Sequence, residues 1–347
     1  KNYTCLAIPM VAAVLRCGGG AAPQRILAAP SSASRAVALS FSGGGLIAAA
    51  YHLGVFQGLT LRGAELLDAR TAPLVGASAG ALVAAALSAE VHLDDATGAL
   101  SRIVDSVVAA GAGPLGRPKI DILRLVRPEL EQLLPEDAHE RCNGRAVVFL
   151  TDISRRPWSP VALSHWETRE SLIESVLVSS YIPGLTSRRS PCGSSGLSAF
   201  GSSSALSSGA GLSSPTPPPA AAPPLRGPLQ GVRAAAAKAR PLRRLVGGAL
   251  IDGGFKTNFP LHPTADRTVR VSPFSGDLDI CPEVRGRPPR RVLLPSKVRI
   301  DVTRANASAV RATLWPPRDG GWLQDVLAQG FDDACRWLRR EQQQPRV

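Results

Sequence analysis

The stretch Gly76-Ala77-Ser78-Ala79-Gly80 sets a serine between two glycines, where the apolar run Ala72 to Ala77 gives way to the helix-forming run Ala81 to Glu90. A G-x-S-x-G at a predicted strand-to-helix junction is the context in which a sharp turn exposes a serine hydroxyl as a nucleophile. Gly76 and Gly80 have a steric role there, because only residues without Cβ let strand and helix pass close to a strained serine. The helix that begins after Ser78 points its positive end at charge developing near the hydroxyl.

Two other glycine-rich segments supply what an acyl-transfer reaction needs. Ser42-Gly43-Gly44-Gly45 follows the predicted strand Arg35 to Ser42 and precedes the predicted helix Leu46 to Leu61. Consecutive glycines at a helix start expose backbone N–H groups, which suit a phosphate or a tetrahedral oxyanion. The chain has no GxxxxGK[ST], and Ala48 stands where a dinucleotide loop would place its last glycine. Facing a serine elbow, Gly43, Gly44 and Gly45 read as an oxyanion hole. Ile251-Asp252-Gly253-Gly254 puts a carboxylate at the end of an apolar run. Asp-Gly is often only a turn. Here the serine needs a base, and partial burial would raise the basicity of Asp252. The chain order also permits a triad in which His262 takes the proton. His52, His92, His139 and His165 read as structural or exposed.

These groups need a parallel sheet to bring them together. Strand and helix patterns alternate through Arg145 to Ile153, a helical stretch around Pro128 to Leu134, a helix over Glu170 to Ser180 and a strand over Thr268 to Val271. That order predicts an α/β fold with helices on both faces of a mostly parallel sheet. A closing amphipathic helix over 322–339 lines up Leu323, Leu327, Phe331, Cys335 and Leu338, a stripe that reads as core packing. Between about 186 and 245 the composition turns to Ser, Pro, Ala and Arg, which cannot bury a core and reads as a disordered insertion. The organisation expected is a leader over 1–35 and one domain over 36–347, interrupted by that insertion.

A net charge of +13 raises nucleic acid or an anionic membrane as partner. Four of the basic residues precede Ser42 and eight lie between Glu174 and Asp252, in both cases with no acid among them. The rest is near neutral and lacks interleaved aromatic and basic residues, so nucleic-acid binding is not expected. Six scattered cysteines form no CxxC pair, and no metal or cofactor is expected. The acid-free start fits a transit peptide, while Leu6 to Leu15 would equally suit a secretory signal core. The uncharged stretches Ala36 to Leu61 and Thr71 to Ala89 are long enough to span a bilayer. Each breaks into a strand, a Gly/Ser turn and a helix, so membrane contact is expected to be peripheral.

Several motifs in order resemble the patatin-like phospholipases, and among them the branch containing adipose triglyceride lipase. They are Leu39 to Leu46 with Tyr51-His52-Leu53-Gly54, then Gly76 to Ala81, then Asp252 to Pro260. The segment Val271 to Pro282 is the most branch-specific part. The resemblance covers about 36–184 and 246–338. It implies a three-layer α/β/α fold, and a Ser78–Asp252 dyad with neither histidine base nor metal. It also implies an oxyanion hole over Gly43 to Gly45, with Gly76 and Gly80 in the elbow and Gly253 and Gly254 after the acid. The expected substrate is a lipid ester at a membrane or lipid-droplet surface, triacylglycerol first, with phospholipid, galactolipid or acyl transfer as alternatives. A non-catalytic lipid-surface scaffold is the competing reading, against which the intact Ser78 and Asp252 argue. A cytoplasmic, peripheral location is expected, with a plastid or other organelle left open, as is a protein co-activator. Two departures stand out: Ala48 where the family usually has glycine, and the long insertion upstream of Asp252.

Overall fold

The computed structural model describes residues 37–63, 67–111, 119–154, 156–191, 250–284, 286, 289–294, 296–319 and 321–343. The leader over 1–35 and most of the insertion expected over 186–245 lie outside these residues. The described chain runs on through Thr186 and Ser187, inside the stretch read as insertion. Thr186 accepts from the Ile122 amide, and the Ser187 hydroxyl donates to Asp121 at 2.8 Å. These short polar side chains belong to a packed turn, which composition alone does not distinguish from a linker.

A six-stranded mixed sheet flanked by helices is the frame. Its parallel part is β3 (Ala146–Asp152), β2 (Leu74–Ala77), β1 (Val37–Phe41) and β6 (Arg267–Val271), in that spatial order. The three inner strands β1, β2 and β3 are apolar and mostly buried, as strands covered on both faces must be, while the edge strand β6 buries only Val269 and Val271. β4 (Ser159–Leu163) and β5 (Leu250–Asp252) run antiparallel to β3. A separate hairpin joins β7 (Arg291–Leu293) to β8 (Arg299–Asp301).

The helices are α1 (Gly45–Arg62), α2 (Ala79–Ser88), α3 (Leu93–Ala110), α4 (Ile122–Leu133), α5 (Ala138–Cys142), α6 (Arg169–Ser179), α7 (Gly254–Thr257), α8 (Arg304–Ala312) and α9 (Trp322–Gln343). Both stretches long enough to suggest membrane spans are strand, turn and buried helix: β1 with α1, and β2 with α2. No helix among the described residues is long and apolar enough to cross a membrane.

The closing helix packs along α1, but on a face turned from the expected one. Leu323 and Leu338 are buried as expected, while Leu327, Phe331 and Cys335 are only half-buried and Val326, Asp333, Ala334 and Trp337 take the interior. The turn brings Asp333 inward, where its Oδ2 accepts from the Tyr51 hydroxyl at 2.7 Å and its Oδ1 meets Arg336 at 2.6 Å. Glycine sets how closely the two helices approach. A Cβ on Gly54 would stand 2.0 Å from the Leu327 carbonyl oxygen, and one on Gly330 would stand 2.2 Å from that of Tyr51. Gly54→Ala is therefore expected to cost about 1–3 kcal/mol of stability through forced separation of the helices. Gly98→Ala, in α3, meets only Arg102 Nη1 at 3.5 Å. It is expected to stabilise by roughly 0.5–1 kcal/mol. Urea unfolding of the two variants checks the opposite signs.

Candidate active site

Ser78 sits where β2 ends and α2 begins, with φ 55° and ψ −128°. Its carbonyl opens the helix by accepting from the Ala81 and Leu82 amides at 2.8 and 3.2 Å. The flanking glycines have no room for a side chain: a Cβ on Gly76 would lie 2.2 Å from the Gly80 carbonyl oxygen, and one on Gly80 would lie 2.1 Å from that of Phe41. Ser78 is half-buried at the carboxyl edge of the parallel strands, where α/β sheets bind their ligands.

Asp252 reaches the same place by strand register. β2 pairs with β3 up to Ala77 opposite Phe149, and β5 takes over the same edge at Asp252 opposite Leu150. The two strands meet head to head along β3, about one residue rise of ~3.3 Å apart in register. Gly253 is held between them, for a Cβ there would lie 2.1 Å from the Phe149 carbonyl oxygen and 3.2 Å from Ala77 Cβ. Asp252 is only 4% exposed. Its Oδ1 accepts from the Gly254 amide at 2.7 Å. Its Oδ2 is buried without a well-formed hydrogen bond, yet the Ser78 hydroxyl is the strongest influence favouring the carboxylate. Together these place the Ser78 hydroxyl near the Asp252 carboxyl without a formed hydrogen bond to Oδ2. Burial pushes the Asp252 carboxyl up to about 6, against the lowering pull of Ser78 and the Gly254 amide.

The glycine loop lies against the serine. A Cβ on Gly43 would stand 3.2 Å from Ser78 Cβ and 2.5 Å from Asn258 Oδ1. Positive φ at Gly44 (145°) and Gly45 (59°) makes the turn into α1, and a Cβ on Gly45 would lie 2.2 Å from the Thr313 carbonyl oxygen. The loop amides are not equivalent. Ser42 and Leu46 donate to the Val271 and Thr313 carbonyls, and Gly43 makes a long 3.4 Å bond to Asn258. Gly44 and Gly45 carry no amide hydrogen bond among the described residues. Ala48 is fully buried, and its Cβ would lie 3.0 Å from a Cβ on Gly44.

A family model described as patatin-like phospholipase matches residues 39–265, a span that includes the glycine loop, the elbow and Asp252. The chain belongs to the patatin-like phospholipase family. Over 302 residues it is 30% identical to mouse patatin-like phospholipase domain-containing protein 2, covering 87% of this chain and 50% of that protein. It is 27% identical to human patatin-like phospholipase domain-containing protein 4 over 304 residues, 87% of this chain and 96% of that one. Human omega-hydroxyceramide transacylase matches at 26% over 305 residues, 87% of this chain and 46% of that protein. The chain thus spans about half the length of the first and third of these relatives.

Other residues of this patatin-like chain fall away from the elbow. The His262 amide donates to Thr268 Oγ1, and Thr268 pairs with Ala38 near the amino end of β1. Ser78 lies at the carboxyl end of the same sheet. His52 is fully buried beside the Phe41 ring, centroids 5.0 Å apart, and burial pushes its pKa down to about 3. No group of three or more His, Cys, Asp or Glu side chains placed to hold a metal occurs among the described residues. Surface clefts of about 360 and 440 Å³ flank α9, and neither includes Ser78 or Asp252.

Sequence reasoning missed two participants. Asn258 packs its side chain between Gly43 and Gly254; it stands inside the Asp252 to Pro260 motif, which by itself assigns it no role. The end of α6 was the other. There Ser179 Oγ accepts from the Ser78 amide, while the Ser179 and Tyr181 carbonyls accept from the Gly253 and Asp252 amides. A serine at a helix end gives no sign of this in sequence.

Proposed function

We propose that this chain is a serine lipid-acyl hydrolase, with Ser78 as nucleophile, Asp252 as its base and triacylglycerol as the acyl donor. The observation that carries the reading is the buried, underpaired Oδ2 of Asp252 close to the strained, half-buried Ser78. As Ser78 Oγ attacks the ester carbonyl carbon, its proton passes to Asp252 and the carbonyl oxygen becomes an oxyanion. The Gly44 and Gly45 amides and the positive end of α2 supply the donors for that charge, with Gly43 lending its more weakly held N–H. Collapse breaks the ester bond, the leaving alkoxide recovers the proton from Asp252, and an acyl-Ser78 ester remains. A water molecule, deprotonated by Asp252, then attacks that ester, and as the C–Oγ bond breaks Asp252 returns the proton to Ser78 and the fatty acid is freed.

Triacylglycerol is favoured by the branch resemblance of Val271 to Pro282. An insoluble donor implies peripheral contact with a lipid droplet or membrane. Similarity to a protein named a transacylase favours one further outcome, in which a lipid hydroxyl replaces water in the second step. A panel of triacylglycerol, phospholipid and galactolipid emulsions, with and without an added lipid alcohol, tests the choice. Release of fatty acid chiefly from triacylglycerol is the expected result, and cleavage of phospholipid alone would contradict the donor assignment.

The pH profile follows from the base. Burial, the Ser78 hydroxyl and the Gly254 amide are the influences acting on Asp252, and no charged side chain is among them. The base works when deprotonated, so kcat/KM is expected to rise through about pH 6 and level off above it. Burial also lowers the pKa of His262, so a limb in this range does not by itself identify the base. The limb is expected to stay in place in His262→Ala, measured on a soluble ester. Its disappearance there would point to the imidazole.

A further inference from the structure

The amide of Ser78 donates to Ser179 Oγ at 2.9 Å, and that hydroxyl donates its own proton to the Phe149 carbonyl at 2.7 Å. One hydroxyl therefore joins the elbow after β2 to the strand β3 beside it. The backbone around the same residue holds the acid. Gly253 donates to the Ser179 carbonyl at 3.1 Å, and Asp252 donates to that of Tyr181 at 2.9 Å. Ser179 is fully buried at the last turn of α6, so these bonds are shielded from competing water.

We propose that Ser179 is a positioning residue, whose hydroxyl holds the Ser78 backbone in the positive-φ conformation that aims its Oγ at Asp252. The inference rests on the Ser78–Asp252 reading and adds to it the element that keeps the two residues in mutual register. A non-glycine residue at positive φ persists only where its surroundings over-determine it. The Gly76 and Gly80 contacts exclude side chains around the turn, and the bond to Ser179 fixes which way the turn faces. The donation to Phe149 orients the hydroxyl, leaving a lone pair directed at the Ser78 N–H. An alanine at 179 would remove that acceptor, while the helix-end carbonyls that hold Asp252 would stay. The nucleophile should then lose its aim at a base that has not moved.

The test uses Ser179→Ala and Ser179→Cys, a slightly larger side chain that is a poor acceptor, on a soluble short-chain ester beside wild type and Ser78→Ala. Ser179→Ala is expected to lower kcat roughly 10- to 100-fold with KM little changed, the loss that a misplacement of about 1 Å produces. Fluorophosphonate labelling of Ser78 should slow by a similar factor. Because the Ser78 hydroxyl holds the Asp252 pKa down, weakening their contact should also move the rising limb of the pH profile upward. Ser179→Cys should fall between alanine and wild type, and it carries the same readouts if the alanine variant does not fold. A folded Ser179→Ala with wild-type kcat and an unmoved limb would overturn the proposal, as would a Ser179→Cys indistinguishable from wild type. If Ser78→Ala itself kept wild-type activity, the dyad reading would fail first. An inactive Ser78→Ala beside a fully active Ser179→Ala would sink only the role of Ser179.

Discussion

Asp252→Asn is expected to lower hydrolysis roughly a hundred- to ten-thousand-fold, the usual contribution of a positioned base, while His262→Ala keeps most of the wild-type rate. The asparagine preserves shape and can still accept from the Gly254 amide, but it cannot take the Ser78 proton. A triad predicts a heavy loss from both substitutions, because there the imidazole takes the proton and the carboxylate orients it. The geometry disfavours that arrangement. His262 is tied to Thr268, three strand residues before Val271, whereas Ser42 and the elbow lie beyond the carboxyl ends of those strands. Three residues of strand span roughly 10 Å. Both variants should be assayed on a soluble ester and on a triacylglycerol emulsion, so that lost interfacial binding is not mistaken for lost chemistry. Equal inactivation by both substitutions, with fold intact, would contradict the dyad.

Ser78→Ala is expected to have the larger effect still, a fall in kcat on the order of a million-fold, as loss of the nucleophile produces in serine hydrolases. Substrate binding should survive, since the glycine loop and the lipid contacts do not depend on Oγ. The variant should also relieve strain only slightly, because alanine at φ 55° is no more comfortable than serine. Adding Asp252→Asn to Ser78→Ala should cost little more, because members of one catalytic unit fail together rather than additively. A further large drop in the double variant would mean that Asp252 acts on a different step.

The elbow was legible because its chemistry is local: two glycines, one serine and a strand-to-helix change within a few residues. The glycine loop was legible for the same reason, although its division into engaged and free amides depends on carbonyls from Asn258, Val271 and Thr313, all far along the chain. Asp252 could be nominated from its motif but not placed. β5 has only three residues, too few to show periodicity, and its antiparallel seat on β3 comes from tertiary pairing. The helix α3 was not singled out, although Ala96, Ala99, Leu100, Ile103, Val104 and Val107 repeat at helical spacing on its buried face. On α9 the stripe was right in kind and turned in detail, since a buried Asp333 paired with Tyr51 outweighed the simple apolar pattern. The end of α6 was invisible because its contribution is made by one hydroxyl and two carbonyls.

The most direct measurement is the site and pH dependence of covalent labelling by a fluorophosphonate, read by peptide mass mapping. The adduct is expected on Ser78, forming more slowly as pH falls through about 6. Labelling should be nearly lost in Asp252→Asn and kept in His262→Ala. An adduct on another serine, or labelling of Ser78 that survives Asp252→Asn and vanishes in His262→Ala, would contradict the account.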